Sequence, residues 1–224
     1  MLLNDDAFLG AGDVTAIRSA FGAHELVGIV APVVVYEDDH DRIQDAGMMM
    51  DTRLGRVRVL GGGRRLARMP ARPYEVDAVK GCAMAVRRTV FERVGGLDDR
   101  YFFSHEDIEF CLRARTHGFR SMVTPAAVVP HRLSRAAGGR SAVTLYYEAR
   151  NRIMLVRRYG GFWTVWLFPW SFSVNVARRL WWIARAPSWP VRKNLAGALF
   201  RGIGDGLRGR LGKSGSADRS VPPA

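Results

Sequence analysis

Residues 26–36 form one continuous apolar run, and this run constrains the fold more than any other stretch. It contains Val33, Val34 and Val35 in succession, and branched side chains of this kind favour extended backbone. The run therefore predicts an interior strand. With 224 residues, of which 48% are hydrophobic, the chain can form one domain with a real core, or a domain plus an appendage.

Periodicity and turn signals predict the other elements of the chain. Residues 2–3 end a buried strand, Asp13 caps a helix that runs to Phe21, and residues 37–45 form an acidic loop. Two short strands surround residues 51–55, and a Gly/Arg/Pro-rich loop covers residues 61–73. The remaining predictions are a strand over 76–86, helices over 88–94, 106–118, 146–159 and 192–210, and extended segments over 119–123 and 128–131.

Three carboxylates lie within residues 106–109, at the start of a segment whose apolar residues repeat at helical spacing. Glu106 and Asp107 therefore fall in the first helical turn, where free backbone N–H groups and the helix dipole favour negative charge. This placement keeps a carboxylate ionised and aimed, as a general base requires. The alternative is that both are ordinary acids of a helix N-terminus.

The charge is distributed unevenly along the chain. Residues 1–131 contain 17 Lys+Arg and 18 Asp+Glu, whereas residues 132–224 contain 17 Lys+Arg and 3 acids, a net charge of +14. A one-sided basic region indicates an anionic partner: lipid headgroups, nucleic acid or phosphates. Residues 162–182 also carry five tryptophans beside arginines, which is typical of a segment that lies in the headgroup region of a membrane.

Five segments, in this order, carry a resemblance to a known family: 2–6 (ending Asn-Asp-Asp), 77–88, 94–98, 101–113 with its Glu106-Asp107 pair, and 125–131; residues 118–120 lie between the last two and resemble the family as well. They resemble the second half of the catalytic domain of inverting, GT-A-type family 2 glycosyltransferases, in particular bacterial rhamnosyltransferase-like members. The resemblance covers residues 2 to about 158. It implies an α/β fold in which residues 1–135 form the C-terminal part of a GT-A (Rossmann-like nucleotide-diphospho-sugar transferase) domain. A basic, Trp-rich helical membrane-associating region then covers 136–212, and a disordered tail covers 213–224.

The resemblance also implies a divalent metal ion, Mn2+ or Mg2+, held by Asp6 and His131. Asp5 would support the metal or touch the donor ribose, and Asn4 stands where the family's first Asp would be. Without the resemblance, the alternatives are an Asn/Asp turn after a strand and a histidine at a strand end.

For the transfer itself, the resemblance implies that Asp107 is the general base and that Glu106 helps to hold the acceptor. Gly81 would border the donor sugar and acceptor, and Arg150 could clamp the diphosphate. The alternatives are a strand kink at Gly81 and a solvated helix face at Arg150.

The implied partners are a nucleotide-diphospho-sugar donor (a UDP- or dTDP-sugar), a glycan or lipid-linked acceptor, and a membrane surface. No signal peptide is recognisable, and Cys82 and Cys111 have the pattern of buried thiols in a reducing compartment. We therefore expect a peripheral protein on the cytoplasmic face of the cell membrane.

In the family, a nucleotide-binding half precedes the segment at residues 4–6, so we expect either a start further upstream or that half as a separate chain. The competing hypothesis is a catalytically silent remnant or interaction module. Nucleic-acid binding is disfavoured, because the basic region has no recognisable nucleic-acid motif.

Overall fold

The computed structural model describes residues 1–132 and 141–214. Within these ranges there are eight strands and six α-helices. The strands are Leu2–Leu3 (β1), Val27–Tyr36 (β2), Asp39–Asp45 (β3), Met48–Asp51 (β4), Arg56–Val59 (β5), Tyr74–Val76 (β6), Ala83–Val86 (β7) and Arg120–His131 (β8). The helices are Ala11–Phe21 (α1), Arg88–Val94 (α2), Glu106–Thr116 (α3), Ala142–Tyr159 (α4), Thr164–Ile183 (α5) and Trp189–Arg208 (α6).

The chain divides into two compact units. The first comprises Met1–Met50, Val57–Leu97 and Asp107–Arg135, and the second comprises Asp51–Arg56, Asp98–Glu106 and Ala136–Ala224. The predicted domain boundary after residue 135 and the predicted tail from residue 215 onward lie outside the described residues.

The first unit is built on a mixed sheet in the order β1-β7-β2-β8-β6, with β3 paired to β2. Strand β2 is the interior strand that the apolar run predicts, and nine of its ten residues are buried. It pairs in parallel with β8, so that Tyr36 lies opposite His131 at the carboxyl end of both strands. The two-residue β1 lies at one end of the order and pairs with β7 alone among the described strands.

Two predictions for the first unit are wrong in detail, and a third, that Asp13 caps α1, is confirmed with Asp13 at the third helical position. Residues 39–45 form a strand and not a loop, because Ile43 is buried where it pairs with Val35 of β2. The predicted strand over 76–86 is two strands: β6 pairs with β8, β7 pairs with β2, and residues 77–82 connect them. The N-cap of α1 is Gly10, whose N–H donates to Asp13 Oδ2 at 2.9 Å.

The second unit contains α4, α5 and α6. Its buried core comprises Ala142, Leu145, Tyr146, Tyr147, Ala149, Ile183, Ala186, Leu195, Ala198 and Leu199. Helices α4 and α6 cross closely at Gly202, where an added Cβ would lie 2.2 Å from the carbonyl oxygen of Tyr146. Only a glycine permits this approach. Of the described helices, none combines the length and apolar character that crossing a membrane demands.

Candidate active site

The Asn4–Asp6 turn lies against the carboxyl end of β8. Backbone hydrogen bonds hold it there: Arg132 N–H donates to Asp6 O at 2.9 Å, and Phe8 N–H donates to Pro130 O at 3.0 Å. On its other side, Asn4 N–H donates to Cys82 O at 2.9 Å. The turn is therefore fixed between β8 and the connection that precedes β7.

The structure brings Asp6 and His131 together, as the resemblance implies. Oδ1 of Asp6 lies 3.0 Å from Nε2 of the buried His131. Nδ2 of Asn4 lies 3.5 Å from the same Nε2. On the far side of the ring, Nδ1 of His131 lies 2.7 Å from Oε1 of Gln44, a buried residue of β3. Asp5, which lies between Asn4 and Asp6 in the sequence, is exposed.

These residues fit a divalent metal ion. When Nδ1–H of His131 donates to Gln44, Nε2 presents a lone pair towards Asp6, so two acceptor atoms face each other at 3.0 Å. Asp6 Oδ1 is buried and has no other hydrogen-bond partner among the residues that the structure describes. Two ligands with bonds of about 2.1 Å at neighbouring octahedral positions lie roughly 3.0 Å apart. Among residues 1–132 and 141–214, however, no three His, Cys, Asp or Glu side chains group as a metal site would require.

Asp107 is held by backbone N–H groups on both carboxylate oxygens. Gly81 N–H donates to Oδ2 at 3.1 Å, and Ile108 N–H donates to Oδ1 at 2.7 Å. Gly81 is not required sterically for this contact, since an added Cβ would meet Asp107 Cβ at an ordinary 3.7 Å. The structure thus places the predicted base against the predicted donor-side glycine.

The dipeptide Gly81-Cys82 connects the two clusters. Its first residue contacts Asp107 through N–H, and its second accepts from Asn4 through C=O. Burial raises the pKa of the Cys82 thiol to about 12, and nearby Asp45 and Asp107 contribute in the same direction. The thiol is therefore neutral at physiological pH. Cys111 is buried and free as well, which agrees with the prediction for both cysteines.

An ion pair between buried Asp45 and half-buried Lys80 adjoins Asp107, and the sequence does not predict it. Asp45 Oδ2 lies 3.4 Å from Lys80 Nζ, and Gly47 N–H donates to Asp45 Oδ1 at 2.9 Å. Burial raises the pKa of the Asp45 carboxyl, Lys80 opposes the rise, and the charge of Asp107 adds to it. The spacing of acids in residues 37–45 does not indicate that Asp45 is buried, because its burial results from the pairing of β3 with β2.

Glu106 and Arg150 belong to the second unit. Glu106 is the half-buried first residue of α3. Arg150, in α4, is only 1% exposed, and its guanidinium lies over the Tyr147 ring at 4.7 Å. Because its donors are engaged by the carbonyl oxygens of Arg100, Tyr101 and Gly212, the predicted clamp on a diphosphate would require these bonds to be exchanged.

A sequence profile of the family described as Glycosyltransferase like family 2 matches residues 27–181. The chain belongs to this family. This confirms the family that the five segments suggest.

Two relatives carry rhamnosyltransferase names. The N-acetylglucosaminyl-diphospho-decaprenol L-rhamnosyltransferase of Mycobacterium tuberculosis (strain CDC 1551 / Oshkosh) is 27% identical over 191 residues, which cover 80% of this chain and 61% of that protein. Rhamnosyltransferase WbbL of Escherichia coli (strain K12) is 36% identical over 92 residues, or 38% of this chain and 35% of that protein. The chain therefore spans about three fifths of the mycobacterial relative's length.

A solved structure also matches: GalNAc-T7 with UDP, GalNAc and Mn2+, at a TM-score of 0.53 and 13% identity. The match covers 92% of this chain and 39% of that chain. At this identity the likeness shows the fold alone, which is the predicted GT-A type.

Proposed function

We propose that the protein transfers a sugar from a nucleotide-diphospho-sugar to a hydroxyl of a glycan or lipid-linked acceptor, in the synthesis of cell-wall or surface polysaccharide. Family membership and the two rhamnosyltransferase relatives support the reaction class. The observation that carries the proposal is the connection of Asp107 to the Asp6–His131 pair through Gly81-Cys82.

In this proposal Asp107 takes the proton of the acceptor hydroxyl as the acceptor oxygen bonds to the anomeric carbon of the donor sugar. The bond from that carbon to the diphosphate breaks on the opposite side, which inverts the configuration. The N–H groups of Gly81 and Ile108 orient the carboxylate. Glu106 and Gly81 would contact acceptor and donor beside it.

We further propose that Asp6 and His131 hold Mn2+ or Mg2+, with Asn4 and Asp5 beside the donor. When bound, the metal ion neutralises charge on the diphosphate leaving group. Asp6 supplies the hard oxygen ligand that both ions prefer, and imidazole is an accepted ligand of Mn2+. Gln44 orients the ring, as carbonyl groups behind metal-binding histidines commonly do.

The test is transfer by the 224-residue chain, supplied with the nucleotide-binding half as an N-terminal extension or a separate chain, with Mn2+, a panel of UDP- and dTDP-sugars, and lipid-diphosphate-linked sugar acceptors. Mass spectrometry would detect the lengthened acceptor, and the Asp107→Asn variant provides the blank. Donor binding by calorimetry with no transfer at any acceptor would favour the alternative, a catalytically silent interaction module.

We also propose that α5 lies on the cytoplasmic surface of the membrane. Trp163, Trp166, Trp170 and Trp181 share one face of the helical segment, and Trp166 and Trp170 are 70% and 72% exposed. Arg185 lies over the Trp181 ring. Aromatic rings beside basic side chains suit the headgroup region of an anionic membrane, and the net charge of residues 132–224 has the matching sign.

A further inference from the structure

The segment that leads into Glu106 has an unusual backbone. Three of its residues that are not glycine have positive φ: Phe102 at 61°, Ser104 at 65° and His105 at 73°. L-residues rarely adopt this conformation, and it persists only where the surrounding structure determines it. Something in the second unit must therefore hold residues 101–105.

Asn151 of α4 supplies a large part of that hold. Its side-chain Nδ2 lies 3.0 Å from Tyr101 O, 2.9 Å from Phe103 O and 2.6 Å from Ser104 O. The residue is fully buried, at 0% exposure. The two N–H donors of one amide group thus lie within hydrogen-bond distance of three carbonyl oxygens in four residues, which fixes the curvature of the segment.

Arg150 completes the arrangement from the preceding position of α4. Its Nη2 donates to Tyr101 O at 2.7 Å and to Arg100 O at 3.1 Å. Its Nε donates to Asn151 Oδ1 at 2.8 Å, so the orientation of the Asn151 amide is also fixed. With Oδ1 committed to Arg150, Nδ2 must face the carbonyl oxygens.

Aromatic packing supports the same segment one turn earlier on α4. The rings of Phe102 and Phe103 lie 5.3 Å and 6.0 Å from the Tyr147 ring. Tyr147, Arg150 and Asn151 are spaced i, i+3 and i+4, so they share one face of the helix. That face contacts both the carbonyl oxygens and the rings of residues 101–104.

We propose that Asn151, assisted by Arg150, is a positioning residue for Glu106, the acceptor-side carboxylate of the same unit. It holds residues 101–105 in a conformation they would not adopt alone, and so sets where the chain reaches Glu106. The inference rests on the proposed function, in which Glu106 helps to hold the acceptor. In this inference the buried Arg150 supports catalysis by positioning other residues, without contacting the donor.

The test uses Asn151→Asp in the full chain. Asp has the same shape but presents acceptors to three carbonyl oxygens, so it removes the hold without opening a cavity. Amide hydrogen exchange of peptides covering 101–106, measured without donor or metal, should speed up at least tenfold. Turnover should fall by about 10²-fold through kcat, because small misplacement of a catalytic group is that costly, while the Kd of the donor stays within twofold.

Arg157→Gln is the matched control, because Arg157 is on the same helix but donates to Leu207 O at 2.7 Å. It should leave exchange at 101–106 and turnover unchanged. Should Asn151→Asp fail to fold, Arg150→Met removes the bonds to Arg100, Tyr101, Gly212 and Asn151 Oδ1 but leaves the three contacts of Asn151 Nδ2 in place, so an intermediate increase in exchange is expected.

Unchanged exchange at 101–106 in both variants would overturn the inference, as would faster exchange with unchanged kcat. A loss of turnover that comes only from a higher donor Kd would overturn it too, since it would mean that Asn151 and Arg150 act on donor binding. Absence of transfer by the wild-type protein supplied with the nucleotide-binding half would instead refute the proposed function, and exchange would still decide whether Asn151 holds the segment.

Discussion

The backbone N–H of Gly81 donates a 3.1 Å hydrogen bond to Oδ2 of Asp107. Since residues 77–82 connect β6 to β7, this bond fixes the predicted base relative to a sheet connection and not only to its own helix. With the N–H of Ile108 on Oδ1, both carboxylate oxygens of Asp107 are held in a fixed orientation.

We expect Asp107→Asn to reduce kcat by about 10²–10⁴-fold, the usual contribution of a general base. Donor Kd, measured by calorimetry, should change little, because the base acts on the transition state and not on the bound donor. The control is Asp99→Asn, which removes the charge of an exposed acid that precedes α3 in the sequence. Equal effects of the two substitutions would contradict the assignment.

Asp6→Ala should weaken Mn2+-dependent donor binding and turnover together, since the metal would join protein and diphosphate. His131→Ala should be milder and should recover partly as Mn2+ is raised. Titration of donor at several Mn2+ concentrations checks both, with the exposed Asp41→Asn as the control. If neither variant altered the Mn2+ dependence, the pair would be structural.

Gln44→Leu should lower Mn2+ affinity by about 10–100-fold, the typical effect of removing a group behind a metal-binding histidine. Gln44 Oε1 contacts Nδ1 of His131, so its loss frees the ring to take the other tautomer. Nitrogen chemical shifts of the His131 ring report the tautomer directly, without any turnover measurement. A Gln44→Leu protein with wild-type shifts and wild-type Mn2+ affinity would rule out this role.

Asp45→Asn should stabilise the protein at pH 7, and the gain should shrink towards pH 4. The pKa of Asp45 is raised by burial, so the stability linked to its protonation is present below its usual value of 3.8 and is lost as pH rises through the folded-state pKa. Urea unfolding of both proteins at the two pH values gives the comparison, in which other titrating groups cancel. A gain that grows on acidification would show that Lys80 outweighs burial.

The candidate site residues that the sequence predicts are placed by interactions local in the chain. Those that it does not predict are placed by contacts between residues distant in the sequence. Asp107 is recognisable because its helix and the neighbouring turn are local, and Asp6 and His131 because each follows a strand. Gln44 and Asp45 were assigned to a loop, because only the nonlocal pairing of β3 with β2 buries them. The arrangement of β6 and β7 on opposite sides of β2 and β8 is likewise set by partners distant in sequence.

The hold of Asn151 on residues 101–104 has the same origin. The Arg-Asn-Arg sequence at 150–152 is visible, but nothing in it shows that its side chains are buried. Positive φ at Phe102, Ser104 and His105 cannot be predicted from residue type, since none is a glycine.

Arg152, the third residue of this sequence, is buried as well. Its Nε donates to Gly55 O at 2.5 Å, and burial lowers the pKa of Arg152 to about 10, which leaves it charged at pH 7.

The last prediction concerns the exposed aromatic face of α5. The double variant Trp166→Ser/Trp170→Ser should bind vesicles of phosphatidylcholine and phosphatidylserine at least about tenfold more weakly in a sedimentation assay. Burying one large apolar side chain is worth about 1.5–3 kcal/mol, and every 1.4 kcal/mol is about tenfold in affinity.

Added salt should weaken the binding of the wild-type protein only on vesicles that contain phosphatidylserine, because the basic side chains act on anionic lipid. Val59→Ser/Leu97→Ser removes two exposed apolar side chains from the first unit and should bind as the wild type does. Wild-type binding by the tryptophan variant would mean that this face serves another partner.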